Sequence, residues 1–479
     1  MKQDEAALRA KIALLSEEAK IDLIIELMAR VESLTARVAE LEARLGMNSS
    51  NSSRPPSSDG YRKPAPKSLR EVTGRKPGGQ KGHPGKNLRQ VPEPDEVVEH
   101  SPSRCVCGCC LDAVGVERAE RRQVFELPKR PLWVTEHRIA SKKCPQCGRM
   151  VRAQAPAEAP GPAQYGPRLL AVLVYLRDYQ LLPYGRLTAL CRDLFGAGVC
   201  KRTVETAQTR VHGALAPFED MLRARLLGEN VLHADETGMR VAGKLHWMHS
   251  LSSPGLTLYQ AHPRRGVEAI EANGVIPAFT GTLVHDCWAA YFQYGAGHAL
   301  CGTHLLRELQ GVQENEGHAW AREMSAVLRA VSKTTDGRDD APLSPAAADW
   351  FAGVYDDILA RGRRELPPPR KTPGKRGRPA NAKSANLHAR LDAHRDAALR
   401  CLREPGVPFT NNLAERDIRM VKLRQKTSGC ARTLTGAQVF ARLRSYISTA
   451  LKQGRNPLEC LVEAVRGQPW TPHAQISSV

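Results

Sequence analysis

The spacing of apolar residues changes several times along this chain. From Ile24 they recur as Ile24, Leu27, Val31, Leu34, Val38, Leu41 and Leu45, in alternating steps of three and four. That spacing predicts a coiled-coil seam, and Ile or Val at one seam position with mainly Leu at the other favours parallel two-stranded pairing. An amphipathic helix packed on its own chain has the same pattern. The helix is predicted to stop at the Ser-, Asn- and Pro-rich run over 48–59, whose residues offer turn geometry to the backbone. Residues 164–228 again read as helical. Between 187 and 207 a glycine turn separates two amphipathic segments, as in a helix-turn-helix and equally in a plain helical hairpin. The period then drops to two, which predicts strands over 231–241, 245–251 and 256–261 in an antiparallel meander. A short helix is expected near 267–272 and a fourth strand over 282–285. Helix predominates from about 305 to 402, broken by a charged, Pro-rich stretch over 361–383, and a last helix begins near Asn412.

Charge narrows the partner. Seventy Lys and Arg against 50 Asp and Glu give a formal net charge of +20 over 479 residues, which favours a polyanion, nucleic acid before membrane. No run of about 18 apolar residues exists, and the opening Met-Lys-Gln-Asp-Glu lacks a signal-peptide core. The expected location is therefore cytoplasmic, associated with a bacterial nucleoid. Between Arg54 and Arg89 ten Lys and Arg face only Asp59 and Glu71. Such a segment cannot bury a core, but Arg75, Lys76 and Lys81 suit a phosphate backbone.

Six of the 13 cysteines crowd between Cys105 and Cys147, which suits a metal site better than a disulfide framework. Cys105-Val-Cys-Gly-Cys-Cys followed by Cys144-Pro-Gln-Cys-Gly reads as two knuckles of a zinc ribbon. The two-residue gap selects Cys107 and Cys110 with Cys144 and Cys147 as Zn2+ ligands, with Cys105 as a competitor. At the glycine turn, Lys201 and Arg202 are candidates for DNA contact.

Three acids carry the chemistry: Asp235 in Val231-Leu-His-Ala-Asp-Glu-Thr, Asp286 in Leu283-Val-His-Asp-Cys-Trp, and Glu415 in Asn411-Asn-Leu-Ala-Glu-Arg. Two sit at apolar, strand-like runs and one on a helix, an arrangement that can converge on Mg2+ or Mn2+. Three strands, a helix, a fourth strand and later helices match the element order of a ribonuclease-H-like core. Such clusters bind two metal ions roughly 3.5–4 Å apart for in-line phosphoryl displacement. Each acid also has a purely structural reading: Asp235 as a turn residue before Gly238, Asp286 as the cap of a helix starting at Cys287, and Glu415 as the third residue of a capping box begun by Asn412. Their joint occurrence in one fold's order favours catalysis. Beside Glu415, Arg416, Arg419, Lys422, Arg424 and Lys426 concentrate positive charge for a phosphate backbone. Trp288 and Tyr291 are candidates to stack on an exposed base. Cys301-Gly-Thr-His304 offers only two metal ligands, so it is expected to fix local packing, with His304 against a carboxylate or a backbone group. Lys375-Arg-Gly-Arg-Pro contains an AT-hook core, a minor-groove signal that also arises by chance in basic chains.

Nearly the whole chain resembles the large DDE transposase of the insertion-sequence sixty-six family. The resemblance rests on the zipper, the Asn-Ser-Ser-Arg-Pro-Pro-Ser-Ser-Asp run, Gly-Gly-Gln-Lys-Gly-His, the knuckles and His233-Ala-Asp-Glu-Thr. It continues through Cys301-Gly-Thr-His-Leu-Leu-Arg-Glu-Leu, Val407-Pro-Phe-Thr-Asn-Asn-Leu-Ala-Glu-Arg-Asp-Ile-Arg-Met and Arg444-Ser-Tyr-Ile-Ser-Thr-Ala. It implies Asp235, Asp286 and Glu415 as the DDE triad, a helical insertion before the third acid, action on the terminal inverted repeats of its own element and on target DNA, and help from accessory proteins of that element.

The expected architecture is a multidomain α+β chain. It comprises a coiled-coil dimerisation helix over 1–46, a basic linker over 47–100, a zinc ribbon over 101–155 and a helical unit over 164–228. A ribonuclease-H-like core follows over 229–304 and 405–453, split by a helical insertion over 305–404, and a tail occupies 454–479. The coiled coil makes a homodimer or higher assembly the expected state. Two other functions share these features: a non-catalytic zinc-dependent repressor, and a structure-specific nuclease that cuts without joining.

Overall fold

The computed structural model describes residues 12–48, 51–52, 90–117, 120–125, 132–156, 159–336, 343–369 and 381–472. Arg75, Lys76 and Lys81 and the AT-hook core lie outside the described residues. The protein is mixed α/β, with a helical N-terminus and a sheet-containing core.

Helix α1 (Glu17–Leu45) starts at Ser16, whose side chain accepts from the Ala19 amide, and ends at Gly46. Its seam is uncovered: Ile24, Leu27, Val31, Leu34, Val38 and Leu41 are 42–60% exposed. Packing of that stripe onto its own chain is thus not what holds α1. A small hairpin, β1 (Ser141–Lys143) against β2 (Met150–Arg152), carries the second cysteine knuckle at its tip.

Among the described residues, four α-helices lie between this hairpin and the main sheet: α2 (Pro167–Val174), α3 (Tyr184–Phe195), α4 (Lys201–Ala214) and α5 (Ala216–Leu227). The chain leaves α3 through Gly196 in the left-handed region, where no Cβ penalty applies. These helices are not a separate unit. Ala171, Val174, Val211, Phe218 and Leu222 share one apolar cluster with Leu232, Leu251 and Leu283 of the sheet. An apolar stripe on α2, α4 and α5 meets an apolar sheet face, so the expected boundary at 228 divides a single core.

The sheet comprises β3 (Val231–Val241), β4 (Lys244–Ser252), β5 (Thr257–His262), β6 (Thr282–His285) and β7 (Gly297–Leu300), in the order β5-β4-β3-β6-β7. The first three strands are antiparallel, whereas β3, β6 and β7 run parallel. Helix α6 (Val267–Asn273) makes the crossover before β6. The sequence reading missed β7, a four-residue strand whose Gly-His-Ala-Leu has no alternation to detect.

A helical block follows: α7 (Gly302–Glu316), α8 (Ala319–Thr335), α9 (Pro345–Gly362), α10 (Lys383–Ala393) and α11 (Arg395–Leu399). Its Trp320, Met324, Leu328 and Tyr355 form a second cluster that reaches the sheet through Val284 and Ala299. The chain then returns with α12 (Asn412–Ser428), α13 (Leu434–Lys452) and α14 (Pro457–Val465). The expected tail is likewise part of the core, because Cys460, Leu461, Ala464 and Val465 of α14 are buried against α2 and α13. No helix among the described residues is long and apolar enough to cross a membrane.

Candidate active site

Parallel pairing brings the first two acids level. The register sets Val231 opposite Thr282, Leu232 opposite Leu283 and His233 opposite Val284. Two residues further on, that offset reaches Asp235 on β3 and Asp286 just beyond β6. Asp235 lies within a regular strand and pairs with Ser250 of β4, so it is no turn residue. Asp286 begins no α-helix: its Oδ1 accepts from the Trp288 amide at 3.2 Å, and Cys287 takes φ +71°. A non-glycine residue there signals a tightly constrained bend. Behind it, His285 Nδ1 accepts from the Cys287 amide at 3.1 Å and Nε2 faces His298 Nδ1 at 3.1 Å. Burial first, then the neighbouring His298 and His394, push His285 down to about 3, so it stays neutral.

Glu415 sits in the first turn of α12, and no capping box forms there. The N-cap is Asn411, and its side chain makes no cap hydrogen bond. Instead Asn411 Nδ2 donates to the Ala234 carbonyl at 2.8 Å while Oδ1 meets His233 Nδ1 at 2.9 Å. The start of α12 is thereby fastened to β3 beside Asp235. Further along α12, Asp417 accepts from Ser252 Oγ (2.7 Å), Thr257 Oγ1 (3.1 Å) and Lys452 Nζ (2.8 Å). Arg177 holds the far end, donating to Ser428 Oγ at 3.0 Å.

The charges of the other acids act on Asp235. Burial raises the Asp235 pKa well above the ordinary carboxylate range, and the charges of Glu236, Asp286 and Glu415 raise it further. Glu236, absent from the sequence reading, is a fourth acid here, its side chain 1% exposed. Its Oε1 accepts from Arg265 Nε (2.9 Å) and Nη2 (2.6 Å), and its Oε2 from Tyr291 Oη (2.7 Å). Arg265 lies over Trp288 at 4.5 Å and Trp247 at 5.0 Å. Tyr291 is 1% exposed and bound to Glu236, so it cannot stack on a base as expected; Trp288 packs edge-on against it at 5.3 Å. His304 Nδ1 lies 3.6 Å from Glu415 Oε1, and Cys301 Sγ 3.9 Å from the same oxygen.

The basic candidates divide. Arg416, Arg419 and Lys426 are exposed on α12, as are Lys201 and Arg202 at the start of α4, where Lys201 pairs with Glu205 at 3.2 Å. The other two turn inward. Lys422 Nζ donates to the Gly238 carbonyl at 2.6 Å, and Arg424 lies 4.1 Å over the Phe440 ring with its charge near buried Asp178. Lys422 thereby ties α12 to β3, and Arg424 ties it to Phe440 of α13 and to the segment that carries Asp178.

The knuckles repeat one another. In the second, the Gly148 amide donates to the Cys144 carbonyl and the Cys144 amide to Arg149. In the first, the Gly108 amide donates to the Cys105 carbonyl and the Cys105 amide to Cys109. Gly148 and Gly108 have φ +70° and +89°. Cys105 therefore takes the place of Cys144 and Cys107 that of Cys147, although one residue fewer separates them. The Cys107 thiol is lowered by the Cys109 backbone and by the Cys105 thiol, whereas Cys110 Sγ points to Asp112 at 3.3 Å. The repeated turn brings Cys105 into play beside Cys107 and Cys110 as a candidate ligand of the first knuckle. Among the described residues, the two thiol pairs do not meet in one ligand cluster.

The family model for transposases of the IS66 family matches residues 162–439, the span that holds the sheet, all three acids and α12. The chain belongs to the IS66 transposase family. A second match, to a family of unknown function designated DUF6444, covers residues 2–89. No curated protein matches the chain. IS66 transposases process DNA, so DNA is the partner that the surface charge serves. The 278 positions from 162 to 439 include the helical block between β7 and α12, so that block belongs to the family's own span.

Proposed function

We propose that the chain is a DDE transposase that cuts DNA at the terminal inverted repeats of an insertion sequence and joins the freed 3′ end to target DNA. What carries this reading is that strand register sets Asp235 level with Asp286 and that the charges of Asp286 and Glu415 both act on Asp235. The strand order, with three antiparallel strands and two parallel ones, supports a ribonuclease-H-like core.

The donor set fits a hard divalent cation. Burial and the charges of Glu236, Asp286 and Glu415 all raise the Asp235 pKa, so its carboxylate is poorly placed unless a cation joins it, and oxygen-only ligands suit Mg2+ or Mn2+. Bound there, the ion supplies Lewis-acid charge to the attacking and leaving oxygens of the displacement. The chain's own residues set the stage. Asp235 and Asp286 are aligned by strand register, and Asn411 and Asp417 fix the height and angle of Glu415. Arg265, oriented by Glu236 and the two Trp rings, is the cation placed to receive a phosphate. Arg416, Arg419 and Lys426 present charge to flanking DNA. Cys107, Cys110, Cys144 and Cys147, with Cys105 as the alternative in the first knuckle, are the thiols that would hold a structural Zn2+, which prefers thiolates in a tetrahedral set.

The test is 3′-end nicking of a terminal-repeat duplex in Mg2+. Asp235→Asn is expected to reduce it by more than about 100-fold, beyond the usual loss for a residue that merely supports a metal ligand. Undiminished nicking by the variant removes Asp235 from the site and with it the triad.

A further inference from the structure

We propose that Cys301, His304 and Glu415 form a binding site for a thiophilic divalent cation of the Zn2+ class, which takes Glu415 away from the hard-cation cluster. Cys301 Sγ, His304 Nδ1 and a Glu415 carboxylate oxygen all lie within 4.8 Å of one another. Cys301 is the N-cap of α7, and the His304 amide bonds back to its carbonyl at 3.1 Å, which sets both side chains at the first turn. That turn is held tightly, since a Cβ on Gly302 would meet the Phe409 ring at 2.1 Å.

Two features point to an ion rather than to packing alone. His304 Nδ1 is buried without a hydrogen bond of ordinary length and faces only the Cys301 thiol and Glu415 Oε1, the latter at 3.6 Å. The 3.6 Å and 3.9 Å separations also lie close to the edges of a tetrahedron. With Zn–N and Zn–O near 2.0 Å and Zn–S near 2.3 Å, those edges are roughly 3.3–3.5 Å, so a contraction of a few tenths of an ångström completes the set. The Asn411 amide donates to Cys301 Sγ at 3.2 Å, which fixes the sulfur at this corner. Three protein ligands leave a fourth position open, and the sulfur selects against Mg2+. Binding at this site is independent of the proposed function. Its consequence, loss of Mg2+-dependent cleavage when Zn2+ engages Glu415, rests on that reading.

The experiment titrates the reduced, metal-stripped full chain with Zn2+ against a chromophoric chelator, and with Co2+ as a spectroscopic probe. Cys301→Ser and His304→Gln are each expected to bind one equivalent fewer than wild type. The thiolate-to-Co2+ charge-transfer band should survive in Cys144→Ser and vanish when Cys301→Ser is added. Equal stoichiometry in wild type and both variants, each with native circular dichroism, overturns the site. In the nicking assay, Zn2+ added to saturating Mg2+ is expected to inhibit wild type at least tenfold and Cys301→Ser far less; equal inhibition overturns the competition. A chain that loses the equivalent in both variants but never nicks DNA in Mg2+ alone overturns the proposed function and leaves this site standing.

Discussion

Asp235 is placed where a carboxylate is costly to the folded chain. Its raised pKa means that, between the ordinary carboxylate range and the raised value, the folded state binds more protons than the unfolded one. Stability therefore falls as pH rises through that window, and stays lower above it. An amide in the same place removes the charge while keeping the shape. Asp235→Asn is accordingly expected to stabilise the metal-free chain at neutral pH by about 1 kcal/mol, a rise of about 2–4 °C in Tm for a core of this size. Excess Mg2+ should narrow the gap, because only wild type gains by linkage to the bound ion. Differential scanning calorimetry with and without Mg2+ checks both halves. A lower Tm for the variant in chelator would mean that Asp235 already has a favourable partner. The same acid sets a pH limit on function. Because a protonated carboxyl is a poor ligand, Mg2+ affinity should decline at a higher pH than an ordinary carboxylate would impose. Glu236→Gln, which removes one of the charges raising Asp235, should move that decline to lower pH.

At the scale of elements, the position of Glu415 depends on how α12 lies across β3, β4 and β5. Asp417 is the centre of that contact, with Lys452 of α13 as its charged partner and both side chains at most 15% exposed. Removing one partner of a buried pair leaves the other uncompensated, at a cost of about 3–5 kcal/mol. Asp417→Ala is therefore expected to lower Tm by roughly 10 °C. Adding Lys452→Met should recover much of the loss, since the stranded charge goes with it. Thermal melts of the single and double variants decide the matter, and a single-variant loss under about 1 kcal/mol would shift the anchoring role to Asn411 and Arg177. This docking was not legible in the sequence, although its parts were. The strands over 231–241 and 282–285 and the helix at Asn412 follow from apolar period and turn residues, which act locally. Asn411 and Asp417 could be recognised only as polar residues near a helix start, because their partners lie about 160 to 180 positions away. Glu236 was hidden for another reason: strand alternation sends neighbours to opposite faces, so a buried acid beside Asp235 runs against the pattern. The inward setting of Arg424 was hidden because charge spacing along a helix does not say which cations have an aromatic ring and a buried acid beneath them.

Over the whole molecule, two features of the surface bear on partners. One is the charge of +20, which makes DNA affinity strongly salt-dependent through counterion release. The other is the seam of α1, whose 29 residues span about 43 Å and carry an apolar stripe along their length. The exit from α1 is tied to the helical block: Asn51 Nδ2 donates to Glu314 of α7 at 2.8 Å, and the bare Gly311 leaves room for the Asn51 carbonyl. A second copy is the partner the seam fits best, since β-branched residues and leucines alternate along it as in two-stranded coiled coils. Paired α1 helices, each fastened to its own catalytic block, would hold two DNA ends in one assembly. Leu27→Lys with Leu34→Lys places like charges opposite each other at two layers of such a pair. The double variant is expected to run as a monomer in light scattering at concentrations where wild type has twice that mass. Its helicity should fall with the loss of the pair, because an isolated helix of this polarity is only marginally stable. Affinity for a single terminal-repeat duplex should change little, whereas capture of two labelled ends in one complex should be lost. Wild type that remains monomeric at every concentration, or a variant that still captures both ends, would assign the pairing of ends to another surface.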